Sequence, residues 1–449
     1  MRLWVFCLVS TAVAALVFVL ARLLNNDYVF FAGYTVLQFV VLGTAWNILG
    51  GYCGYVNFGT AAFFALGAYS TVFFHKTYPL PIPVLLFVAA AVCGLVGFGT
   101  GYLTLRLRGA FFAIATLALA VVLQTLVVNW TYVGGSRGAY VIRPADVDLL
   151  VVKISYIQYL FAIMILLAVA ALVIARAIEH SKLGYGFATI RDDELAAEAS
   201  GVPTLKLKLI ATTLSGALMG MAGAPFPYYI GYLEPASAFG LPYAVNSIAM
   251  PMIGGTTTWI GPLIGALLLG TLQQIATVTI SSVVNLLIVG FLLVGFVIAA
   301  PNGIVGLIQE FLRAASPSRV DARSIGIILF SAYGFIAGVL GIVFSLAVMT
   351  APGTAGLAMA VAGFVLAALY LASAYGLLKI HGWGPLVATI AFAMSIPIAA
   401  IYMWFDRMPG NIAYHATGIG IAIAAIWCFQ LRNVRKLYQP HLGEQRVAA

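Results

Sequence analysis

The greatest capacity for charged chemistry lies in Arg191, Asp192, Asp193, Glu194 and Glu198, inside the polar stretch 181–209 (SKLGYGFATIRDDELAAEASGVPTLKLKL) of a chain otherwise almost free of charge. Charges this close together keep the stretch out of the bilayer. No G-x-x-x-x-G-K-[ST] phosphate loop, no H-E-x-x-H and no Cys-x-x-Cys occurs in the 449 residues. The chain therefore shows neither a nucleotide site nor a metal site of its own, and the charged stretch reads as the piece that meets something outside the membrane. Gly134 to Gly138 (GGSRG) matches the hydrolase G-x-S-x-G pattern. That motif works only at a strand-to-helix turn, and here it falls between two apolar segments.

The charged group must sit on a short surface helix. Ala196, Ala197 and Ala199 favour helix, Asp192 or Asp193 can cap its N-terminus, and Gly201 followed by Pro203 stops it. Glu194 and Glu198 are then expected as exposed charges.

Around this island the chain is 63% hydrophobic and 8% charged, against about 25% charged residues in a soluble domain. It reads as an all-α polytopic membrane protein. At about 20 residues per span, apolar runs place helices near 3–21, 28–49, 55–74, 84–105, 110–128, 154–178, 207–231, 240–254, 259–279 and 283–300. The eighth is short and holds Pro242 and Pro251, so it is expected to cross incompletely or re-enter. None of the acidic residues falls inside a span, which argues against a membrane-embedded enzyme.

A net charge of +9 would suggest nucleic acid in a soluble protein; in a membrane protein the position of each charge decides. With the N-terminus inside, Arg106, Arg108, Arg176, Lys182, Arg191, Lys206, Lys208, Arg313, Arg319 and Arg323 lie in the cytoplasm. Only Arg22, Lys76, Arg137, Arg143 and Lys153 lie outside, as the positive-inside rule requires. The island is then cytoplasmic. Cys7, Cys53, Cys93 and Cys428 are scattered in apolar segments and read as small buried hydrophobes.

Polar side chains at membrane depth must face a partner or a pathway. Asn47, Asn57 and Thr116, beside Gly51, Gly59, Gly254 and Gly255, are the candidates for a translocation path. The glycine clusters suggest close helix contact or broken helices.

Several ordered motifs resemble the permeases of branched-chain amino-acid ABC transporters: the island itself, LRLRGAFFAIATLALA (105–120), NWTYVGGSRG (129–138) and MIGGTTTWIGPLIGA (252–266). The resemblance runs from about residue 37 to 306 and implies a permease domain over 1–306. It further implies that Arg191, Asp192, Asp193, Glu194, Ala196, Ala197, Glu198 and Gly201 form the ATPase-coupling helix. The implied partners are cytoplasmic ABC ATPase subunits that use the ATP, a second permease subunit or a second copy as dimer, a periplasmic substrate-binding protein and the bilayer of the bacterial inner membrane. No cofactor bound by this chain and no nucleic acid is expected. The implied substrates are leucine, isoleucine and valine, with urea, short amides or other amino acids as the alternative. A passive channel is the rival class, and it has no need of an ATPase-docking helix.

Beyond the resemblance, 307–323 reads as a cytoplasmic linker, and four further spans fit near 325–349, 355–378, 384–404 and 412–431. They form an added membrane module (324–431), followed by a cytoplasmic tail, 432–449. Two copies of SAYG, 331–334 and 373–376, are expected near the same face of neighbouring helices.

Overall fold

The computed structural model describes residues 3–279, 290, 302–314 and 322–430, apart from 25, 79, 105–106, 108, 144–145, 150–151, 350–353, 380 and 406–408. The expected tenth span, the tail 432–449 and the basic residues Arg106, Arg108 and Arg319 lie outside the described residues. Among those described, seven helices are long and apolar enough to cross a membrane, and the fold is all-α and polytopic.

The chain divides into two compact units, Met1–Thr271 with Pro301–Gly303 and Leu272–Ala300 with Ile304–Ala449. The division falls near residue 271, within the last helix of the first unit. In the first unit the helices are α1 (Leu3–Leu23), α2 (Asp27–Asn47), α3 (Thr60–Thr77), α4 (Ile82–Thr104), α5 (Ala110–Val128) and α6 (Tyr156–Glu179). The short α7 (Lys182–Asp192) and α8 (Glu194–Ala199) follow, then α9 (Thr204–Gly223), α10 (Phe226–Ile230), α11 (Pro235–Ala238), α12 (Leu241–Gly254) and α13 (Ile260–Thr279), which belongs to this unit as far as Thr271.

Burial sorts these helices. α2 is the hub: Tyr34, Val40, Val41, Leu42 and Ala45 are fully buried, and α6, α9 and α12 pack around it. α1 and α5 instead leave Leu8, Leu16, Phe111, Ile114 and Leu126 exposed, as helices facing lipid do. α12 has 14 residues, about 21 Å at 1.5 Å per residue. That is short of the roughly 30 Å hydrocarbon core, and Pro251 lies inside the helix.

Where the glycines cluster, backbones touch. A Cβ on Gly254 would lie 1.8 Å from the Gly261 carbonyl oxygen, one on Gly265 1.8 Å from that of Met250, and one on Gly67 2.0 Å from that of Gly220. Gly254 therefore packs the α12–α13 hairpin, and Gly255 (φ +123) follows as its turn residue.

The expected third span is displaced. α2 runs into a π-helical turn, Ile48–Tyr52, then into non-helical chain from Cys53 to Gly59, and α3 begins only at Thr60. Open backbone of this kind is tolerated in a membrane protein where protein groups satisfy it. Tyr55 N–H donates to Leu49 O (3.1 Å), Phe58 N–H to Thr116 Oγ1 (3.1 Å) and Gly59 N–H to Asn57 Oδ1 (2.7 Å), while Trp46 Nε1 donates to Asn57 O (2.8 Å).

The loops hold two small antiparallel ribbons that the sequence did not announce. β1 (Ala139–Tyr140) pairs with β4 (Tyr232–Leu233), and β2 (Asp146–Leu149) with β3 (Val152–Ser155).

The second unit contains α14 (Gly303–Ala314), α15 (Ala322–Met349), α16 (Thr354–Leu378), α17 (Gly384–Phe405) and α18 (Pro409–Gln430). The four long helices share a core of Ile327, Tyr370, Leu377, Phe392 and Phe429. The expected linker is in part helical: α14 continues to Ala314 and Glu310 is ion-paired with Lys379. The SAYG copies do meet, since Gly334 faces Tyr370 and Ser373.

Candidate functional site

The island folds as two short helices rather than one. Ser181 caps α7 through Gly184 N–H (3.4 Å). Asp193, not Asp192, caps α8: its Oδ1 accepts from Leu195 N–H at 2.9 Å and Ala196 N–H at 3.1 Å. At the other end Gly201 has φ +82. Gly201 N–H donates to Glu198 O and Val202 N–H to Ala197 O, the paired bonds of a Schellman stop. A six-residue helix too short to hold itself together in water is thus fixed at both termini.

Its charges divide by direction. Arg191 and Asp192 pair with each other at 3.3 Å on the surface, and Ala196 is exposed while Ala197 is buried. Leu195 (61% exposed) and Tyr185 (72%) stand out of this face. Glu198 is exposed but accepts from Thr204 Oγ1 at 2.8 Å. Glu194 departs from expectation. It turns inward, its side chain 11% exposed, and meets Lys208 Nζ at 2.6 Å, itself 4% exposed. Tyr55 Oη donates to the second Glu194 oxygen, and Lys208 Nζ also donates to Tyr55 Oη at 3.1 Å. The reason is electrostatic: the Lys208 ammonium and the Tyr55 hydroxyl lie on the protein side of α8 and draw its first carboxylate inward.

A cleft of about 470 Å³ adjoins this cluster, lined by Gly54, Tyr55, Val56, Gly109, Ala110, Ala113 and Glu194. Gly54, at φ +80, lies against Arg191, whose Cγ would be 3.0 Å from a Cβ there. The island and the broken segment after α2 are therefore in direct contact.

The path candidates fall into two groups. Asn57, Gly59 and Thr116 come together, with Asn57 and Thr116 bonding backbone N–H groups of the broken segment. Asn47, Gly51 and the loop after α12 form the other: Asn47 Nδ2 donates to Thr258 O at 3.3 Å, and a Cβ on Gly51 would lie 1.9 Å from Asn47 Oδ1. Nearby, Glu179 Oε2 accepts from Trp259 N–H and from Tyr52 Oη at 3.3 Å, and the Arg176 guanidinium stacks over Phe6 and Trp259. Sequence reading missed Tyr55, Lys208, Tyr52 and Glu179. Lys208, five residues into an apolar helix, was the available signal.

Apolar helices packed through glycine backbones, with a broken helix and a capped polar helix beside it, define a multi-pass membrane fold. The model of the family "Branched-chain amino acid transport system / permease component" matches residues 29–297, and the chain belongs to that family. It is 27% identical over 253 residues to the high-affinity branched-chain amino acid transport system permease protein LivM of Salmonella typhimurium, covering 51% of this chain and 59% of that protein. It is 27% identical over 242 residues to the probable branched-chain amino acid transport permease protein LivH of Methanocaldococcus jannaschii, covering 50% and 73%. A third relative, the ribose import permease protein RbsC of Escherichia coli, is 31% identical over 103 residues, covering 22% and 32%. The chain thus spans less than two thirds of the length of LivM. No solved structure matches it.

Proposed function

We infer that this chain is the membrane-spanning subunit of an ABC importer for leucine, isoleucine and valine, driven by a separate ATPase that docks on α7 and α8. The observation that carries this is the doubly capped α8, held rigid inside the family-matched region with Leu195, Ala196 and Glu198 outward. A channel has no use for such a face. In this reading the face is cytoplasmic, both termini are cytoplasmic, and the ribboned loops on the other side receive a periplasmic binding protein. A second permease chain, identical or not, completes the path, to which Asn47, Gly51, Asn57, Gly59 and Thr116 contribute. The helices from Ala322 to Gln430 form a module that can fold separately.

The match to a ribose permease favours a second reading, in which the same machinery carries another small polar solute. Vesicles containing this chain with its co-purifying ATPase distinguish the readings: ATP-dependent uptake of labelled leucine supports the first, ATP-dependent uptake of other solutes only supports the second, and uptake without ATP rejects both.

A further inference from the structure

We propose that Tyr55, Glu194 and Lys208 are positioning residues that transmit movement of the docking helix to the broken segment Cys53–Gly59; this rests on α8 being the ATPase face. Three elements meet here: Glu194 opens α8, Lys208 lies in the first turns of α9, and Tyr55 sits in the break after α2. Their contacts are mutual, with Lys208 Nζ 2.6 Å from Glu194 and 3.1 Å from Tyr55 Oη, and Tyr55 Oη bonded to Glu194.

Burial makes this cluster more than a surface ion pair. A desolvated charge is tolerated only while its partner stays in place. Displacing α8 alone would pull the Glu194 carboxylate away from the Lys208 ammonium and the Tyr55 hydroxyl together, so a shift of α8 draws α9 and the Tyr55 segment with it. The caps at Asp193 and Gly201 keep α8 from absorbing the displacement by fraying.

From Tyr55 the connection continues inward. Its ring meets Phe112 of α5 edge-on at 5.1 Å, and Phe58 and Gly59, three and four residues on, bond to Thr116 and Asn57. The cluster thus joins the docking helix, through its inward-turned first residue Glu194, to the residues proposed for the path.

The test needs a readout independent of the substrate. Val56 is 41% exposed and lines the cleft beside Glu194. In a chain whose native cysteines are replaced, Val56→Cys is labelled with a maleimide in the ATPase complex, with and without ATP and vanadate. The labelling rate should differ between the two states about fivefold or more, the usual scale of coupling between sites. In Glu194→Gln/Lys208→Met, which removes both charges together, the difference should vanish in the chains that still carry bound ATPase. Tyr55→Phe, which deletes one hydroxyl, should shrink it and stands as the reading if the double variant does not insert. A full-sized difference in Tyr55→Phe and in any inserted double variant overturns the proposal, as does no difference in the parent. Failure of any ATPase to bind the unaltered chain overturns the docking reading itself.

Discussion

Glu179 Oε2 accepts the backbone N–H of Trp259 at 2.6 Å, joining the last residue of α6 to the loop between α12 and α13 across 80 positions of sequence. The same oxygen receives Tyr52 Oη, so one carboxylate holds three elements. Glu179→Leu leaves both donors without that acceptor and should cost about 1–3 kcal/mol. Glu179→Gln keeps an acceptor oxygen and should cost less. Melting temperatures of the two variants in detergent check the order.

Asp193→Ala should lower the stability of α8 by about 0.5–2 kcal/mol, the usual worth of an N-cap. Amide exchange at Leu195 and Ala196, whose N–H groups bond Asp193, should accelerate, and less ATPase should co-purify. Asp193→Ser, itself a good cap, should restore both.

Backbone contact leaves no room for a methyl group at Gly254, where a Cβ would lie 1.8 Å from a carbonyl oxygen, whereas nothing lies within 4 Å of one at Gly99. Gly254→Ala should sharply reduce the yield of folded protein and Gly99→Ala should not. Size-exclusion profiles of the two variants compare them directly.

The proposed orientation is checked by labelling. Cys53 and Cys93 are buried, so background comes from Cys7 and Cys428, which can be changed to Ser. Glu198→Cys should then react with an impermeant reagent only from the cytoplasmic side, and Tyr140→Cys, at a position 77% exposed, only from outside. The reverse pattern would invert the topology.

Phe392 is fully buried and meets the rings of Phe330, Tyr333, Tyr370 and Phe429. Phe392→Ala should cost the second unit about 3–5 kcal/mol. Protease sensitivity in the loops of residues 322–430 should rise while labelling at position 198 stays unchanged.

What the sequence made legible was local. The Asp193 cap and the Gly201 stop depend on residues within one turn, and apolar runs located the helices because span length is set by the bilayer. The start of the third helix was misplaced because Tyr55 to Phe58 are compatible with helix, and partners outside the segment, Thr116 and Trp46 among them, hold them open. Glu194 and Glu198 look equivalent in sequence. Which one turns inward depends on Lys208 and Tyr55, and no spacing rule reports a contact across 139 positions.

The α12–α13 hairpin has a consequence for how this protein can move. With Gly254 on Gly261, Gly261 on Gly255, Gly265 on Met250 and Gly303 also against Gly255, main chain meets main chain and no side chain lies between to change rotamer. A joint with no free volume cannot act as a hinge. The hairpin is therefore an interlocked block, and any motion it undergoes is that of a piston whose play lies at its rim, where Asn47 reaches Thr258 and Glu179 grips Trp259.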